Sequence, residues 1–207
     1  MALEWNELAG GERWHGVVSF IRNWVGEIGP EQGMPAAEFE QILREKALTL
    51  PAAVCEWRLL AATSYQFGMN VLVPPRELAA YDGMVDVLHD TGGVNAWSVR
   101  VADFEHEDPP VVSENRIACP SFSQFVAAMI INDVLFGDPN EEALELKRTA
   151  LQTEGFRIVA TACGDFLADG PLESATVVMY AYPRNGPVLG KSRTPEGTAL
   201  LSRLRKT

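Results

Sequence analysis

From Glu12 to Ile28 the apolar residues Trp14, Val17, Val18, Ile21, Trp24, Val25 and Ile28 recur at three- and four-residue spacing, the period of an amphipathic helix. Gly29-Pro30 ends that pattern. Pro35 suits the first turn of a second helix with Phe39, Ile42, Leu43 and Leu48 along one face. A third helix starts at Leu50-Pro51 and turns Val54, Trp57, Leu60 and Ala61 inward. Three helices thus precede any convincing strand.

Val71-Leu72-Val73 then predicts a short strand stopped by Pro74-Pro75. Met84 to His89 and Val94 to Val101 predict an antiparallel pair, and Gly92-Gly93 supplies the positive φ values of a tight hairpin turn. Ser121 is placed to cap a helix running to Phe136, with Phe122, Phe125, Val126, Met129, Ile130 and Val134 as its buried stripe. Gly137-Asp138-Pro139 closes that helix, and Asn140 caps a further, more polar helix from Glu141 to Gln152. Gly155 to Ala162 and Ser174 to Tyr182 predict two more strands, and Pro195 starts a short basic helix. Helices come first, hairpin strands cluster in the middle and no βαβ alternation appears, so the pattern predicts an α+β fold.

The order of elements between Leu50 and Phe136 resembles the SUKH (Smi/Knr-like) superfamily of bacterial immunity proteins. The residues that carry the likeness are Glu56-Trp57 on the Leu-Pro helix, the proline-marked strand Val73 to Leu78, and Asp82-Gly83 with Val94 to Trp97 in the hairpin. Asp108-Pro109-Pro110-Val111 and the aromatic start Phe122 and Phe125 of the last helix complete it. Where many relatives carry an aromatic pair and a Glu-Asn-Gln-Gly turn, this chain has Val87-Leu88 and Asp90-Thr91-Gly92-Gly93, which implies a different partner. The resemblance implies a mainly antiparallel, twisted sheet of about five to six strands with helices packed on it. The chain is thus expected to form a single SUKH-like domain over 1–182, most recognisable over 50–136, followed by a basic extension with a short helix over 183–207. Its members bind proteins rather than catalyse reactions.

Charge adds direction to this picture. The 207 residues carry a net charge of −11, yet Arg184, Lys191, Arg193, Arg203, Arg205 and Lys206 make the last 24 residues locally basic. A phosphate backbone is repelled by most of such a surface, so no nucleic-acid partner is expected. A basic protein partner is attracted, mainly through a faster encounter. No apolar run reaches the ~20 residues of a membrane helix, and Met1-Ala2-Leu3-Glu4-Trp5 shows no export signal. Cys55, Cys119 and Cys163 are odd in number and far apart, which predicts reduced thiols and a cytoplasmic protein.

Candidate chemistry is sparse. No Gly-x-Ser-x-Gly elbow, Ser-x-x-Lys pair or phosphate-cradling glycine loop occurs. His89, Asp90, His106, Glu107 and Asp108 could gather around a divalent metal, but no ligand spacing organises them, so neither a metal nor a cofactor is expected. Cys119 with His89 as base reads better as a boundary residue than as a nucleophile. The denser signal is acidic: Asp82, Asp86, Asp90, Asp103, Glu105, Glu107 and Asp108 stand against a single Arg100, with Trp97 among them. Such a run either solvates and protects a sheet edge or forms a negative, partner-binding face.

Three functions fit. The first is a non-catalytic immunity protein that occludes the active surface of a cognate, basic bacterial toxin, a nuclease among the candidates. The second is a regulatory scaffold of the same fold that binds a cellular protein. The third is a hydrolytic enzyme built on His89, Asp90, His106 and Glu107. Nothing in the sequence sets an oligomeric state.

Overall fold

The computed structural model describes residues 5–61, 66–67, 70–136, 144–146, 157–160, 166–169, 177–181 and 188–206. The fold is α+β, and the chain divides into two compact units, Met1–Ala127 and Ala128–Thr207.

The first unit begins with α1 (Trp5–Gly10), α2 (His15–Trp24), a 3-10 turn at Pro30–Gln32, α3 (Ala36–Glu45) and α4 (Ala52–Ala61). The three predicted helices are all present, each shorter than its apolar pattern. Val18, Ile21 and Trp24 form the buried side of α2, as the spacing requires. Trp14 and Trp57 are both fully buried and lie ring to ring, with centroids 5.1 Å apart. The start of α4 has a loop carbonyl as its partner: Ala53 N–H donates to Glu107 O at 2.8 Å, satisfying one orphan donor of the first turn.

An antiparallel sheet follows, with strand order β1-β2-β4-β5-β6-β7 and β3 paired to β4. Its strands are β1 (Gln66–Phe67), β2 (Asn70–Leu72), β3 (Ala80–Tyr81), β4 (Met84–Asp90), β5 (Ala96–Arg100), β6 (Val111–Ser113) and β7 (Arg116–Cys119). The predicted hairpin is β4–β5, with Val85 opposite Val99. Its turn is longer than a two-residue connection. Asp90 N–H bonds Asn95 O at 3.0 Å, and Gly93 alone of the glycine pair takes positive φ, at 66°. Strands β6 and β7 were not expected. Glu114 and Asn115 join them with φ of 49° and 62°, the left-handed pair that a tight hairpin turn demands.

Helix α5 (Phe122–Phe136) starts where predicted, with Phe122, Phe125, Val126 and Ile130 buried. Met129 and Val134 are only half-buried, whereas Ala128, Ile131 and Leu135 are buried, so the covered face is broader than the expected stripe. Phe125 lies 6.1 Å from Trp97 of β5, ring centre to ring centre, which sets the start of α5 against the sheet.

The second unit is a five-stranded antiparallel sheet, β8-β12-β11-β10-β9. Its strands are β8 (Leu144–Leu146), β9 (Arg157–Ala160), β10 (Phe166–Asp169), β11 (Val177–Ala181) and β12 (Val188–Ser192). The helix expected from Glu141 to Gln152 is corrected at its centre: Leu144–Leu146 is a strand, because pairing with Val188–Gly190 buries Leu146. The rest of that expected helix lies outside the described residues. Residues 188–206, which the sequence placed in an extension, supply β12 and the last helix α6 (Pro195–Lys206). Thr194 caps α6, its Oγ1 accepting from Gly197 N–H at 3.1 Å, and Leu200, Leu201 and Leu204 are buried beneath it. Gly190 permits this approach. A Cβ there would stand 2.8 Å from side-chain carbons of both Leu146 and Leu201.

Candidate functional site

The β4–β5 hairpin sorts the predicted acidic residues by face. Strand β4 pairs Asp86 with Ser98 and Leu88 with Trp97, leaving Val87 as an extra residue, a β-bulge. Regular alternation would send Asp86 and His89 to opposite faces; the bulge returns them to the same one. Asp86 then accepts from Ser98 Oγ at 2.6 Å and faces His89 Nε2 at 3.1 Å. Trp97 falls on the other face, half-buried against Phe125. The bulge carbonyl, Val87 O, accepts from both Val73 N–H and Arg58 Nη2 at 3.2 Å.

Asp90 is committed to the turn. Its carboxylate accepts from Val94 N–H at 2.8 Å, Asn95 N–H at 3.0 Å and Asn95 Nδ2 at 2.8 Å. Local desolvation raises its pKa, but these hydrogen bonds outweigh it and hold the carboxyl below its ordinary value. Asp82 sits at the opposite end of β4, in the left-handed region at φ 48°, where Gly83 O accepts from Val101 N–H at 2.8 Å. A seven-residue strand is about 20 Å long, so Asp90 and Asp82 belong to different ends of the hairpin. Asp103 and the exposed Glu105 follow Val101 on the Asp82 side.

Glu107 and Asp108 join a third group that the sequence did not suggest. The turn around Gly11 between α1 and α2 brings Arg13 beside α4, where Arg13 Nη1 contacts Glu56 Oε2 at 2.5 Å and Nη2 reaches Glu107 at 3.3 Å. Trp14 Nε1 donates to the same Glu56 oxygen at 2.8 Å. Burial lowers the Arg13 pKa, but Glu56, Asp108 and Glu107 more than offset it, leaving it raised. Asp108 accepts from Ser123 N–H at 2.8 Å and Ser123 Oγ at 2.5 Å, and so caps α5. The expected cap, Ser121 Oγ, receives Gln124 N–H at only 3.4 Å. Arg13, Trp14, Glu56, Asp108 and Ser123 line an open cleft of about 480 Å³ together with Glu7, Leu8, Gly11 and Glu12. Its inner polar groups are hydrogen-bonded to one another, so what the cleft offers outward is negative charge at its rim.

The charge of the chain is concentrated accordingly. Residues 1–127 hold 18 carboxylates against 8 Lys and Arg, a net −10, whereas residues 128–207 hold 10 against 9. His89 faces Asp86 rather than Asp90, and Glu107 turns to Arg13, so these histidine and carboxylate side chains are not drawn into one cluster. Among the described residues no group of three His, Cys, Asp or Glu is placed to hold a metal ion. Cys119 is fully buried and disulfide-bonded, which corrects the expectation of a reduced thiol there; Cys55 is free, its pKa pushed up to about 11 by burial. No helix among the described residues is long and apolar enough to cross a membrane.

Arg13, Glu56 and Ser123 are the site residues that sequence reasoning missed. Only the Arg13-Trp14 step, a base among the acids Glu4, Glu7 and Glu12, hinted at a half-buried ion pair. No protein-family model matches the chain, and neither a curated protein nor a solved structure matches it.

Proposed function

We propose that this protein is a non-catalytic binding module that neutralises a basic protein toxin by covering its active surface, as the SUKH-like order of its elements implies. The supporting observation is the net −10 of residues 1–127, with Asp82, Glu105 and Glu107 exposed while Asp86, Asp90 and Asp108 are tied into the fold. The exposed carboxylates steer a cationic partner; the tied ones hold the surface that presents them. The cytoplasmic placement belongs to the same proposal, although a disulfide at Cys119 favours an oxidising compartment.

The test is a pull-down from the native organism with mass spectrometry, then association kinetics of the captured partner at two salt concentrations. The triple variant Asp82→Asn, Glu105→Gln, Glu107→Gln should associate several-fold more slowly at low salt and converge on wild type at high salt. Asn suits the positive φ of position 82, and exposed charges add little to stability, so folding should be unchanged. A variant that associates at the wild-type rate at low salt sinks the proposal.

A further inference from the structure

Helix α4 is buried over a wide arc that includes Ala53, Val54, Trp57, Leu60 and Ala61, and Arg58 lies inside that arc with 0% of its surface exposed. Its side chain therefore cannot extend its charged end into water, the usual solution for a long cation. Nη2 donates to Val87 O at 3.2 Å, yet neither Nε nor Nη1 has a hydrogen-bond partner among the described residues. No carboxylate among those residues forms an ion pair with it. Cys55, whose thiolate would act on it electrostatically, has its thiol pKa pushed up to about 11 and so carries no compensating charge at neutral pH. Burial lowers the guanidinium pKa to about 10, which still leaves it charged at neutral pH.

A charged group taken out of water with most of its donors unpaired is strongly destabilising, and folded proteins meet this with a counter-charge. We propose that the interior beside Arg58 binds a small monovalent anion of the halide class, held by the guanidinium N–H groups that the protein leaves unpaired. The anion neutralises Arg58 where it supports the Val87 bulge, and so underwrites the face that carries Asp86 and His89. Its binding is independent of any toxin.

The probe is chloride. Thermal unfolding of the full chain is followed in sodium chloride and in sodium gluconate at equal ionic strength. At tenfold above its dissociation constant, chloride should raise the Tm of wild type by about 3–6 °C. Arg58→Met, which removes charge and keeps length, should melt at the same temperature in both salts. An equal Tm for wild type in the two salts overturns the proposal, and so does a chloride effect that persists in Arg58→Met. The net −10 of residues 1–127 disfavours adventitious surface binding, which sharpens the comparison. Should Arg58→Met fail to fold, wild-type crystals grown in bromide decide: an anomalous peak within hydrogen-bonding distance of the guanidinium supports the site, and its absence refutes it.

Discussion

Replacing Asp108 by Ala removes two hydrogen bonds from the first turn of α5 at once, those from Ser123 N–H at 2.8 Å and Ser123 Oγ at 2.5 Å. Loss of an N-cap acceptor costs about 0.5–2 kcal/mol, and an ionised acceptor near a helix N-terminus lies toward the upper part of that range. We expect a loss of about 1.5 kcal/mol, because Asp108 is half-buried and the freed Ser123 N–H regains water only in part. Ser121→Ala, which loses only the 3.4 Å contact to Gln124 N–H, should cost a few tenths of that unit at most. Asp108→Asn keeps one acceptor and should fall between them. All five tryptophans, Trp5, Trp14, Trp24, Trp57 and Trp97, lie within residues 1–127. Urea denaturation followed by their fluorescence therefore reports the unit that holds the cap. If Ser121→Ala proves as damaging as Asp108→Ala, the assignment of the cap to Asp108 is wrong.

Two further outcomes are expected. The Asp90 carboxyl should titrate below the ordinary aspartate range in a carbon-detected NMR series; because its folded pKa is depressed, its stabilising effect is complete above the unfolded value and fades as pH falls through the folded one. An Asp90 that titrates like an unstructured aspartate would remove the turn bonds from the argument. Cys119 should resist alkylation in denaturant until a reductant is added, while Cys55 reacts without one; prompt modification of Cys119 would restore the reduced, cytoplasmic expectation.

Local periodicity carried the helices and the central hairpin, because α2, α3, α4 and β4–β5 each present their own apolar pattern. Strand β8 was lost to a helix because Leu144 and Leu146 acquire strand geometry only through partners at Val188–Gly190, more than forty residues away. The β6–β7 hairpin was silent because Glu114-Asn115 is not one of the glycine-bearing turn pairs, although the backbone bends it into the same geometry. The cleft was illegible for a related reason: Arg13 meets Glu56 and Glu107 across 43 and 94 residues of chain. Within the acidic run, composition marked the carboxylates but could not tell Asp90, spent on its turn, from Glu105, turned to solvent.

The extra residue in β4 makes this strand intolerant of changes in length. Upstream of Val87, Val85 points to the helix-covered side; downstream, Leu88 does so, and only the bulge reconciles the two phases. Deleting Val87 would give a regular strand that still sets Leu88 opposite Trp97, but it would take away the carbonyl that accepts from Val73 N–H and from the buried Arg58 guanidinium. Homologues that keep this surface should therefore vary by substitution in β4 and take their insertions and deletions in the Thr91–Val94 loop, where the side chains already face water.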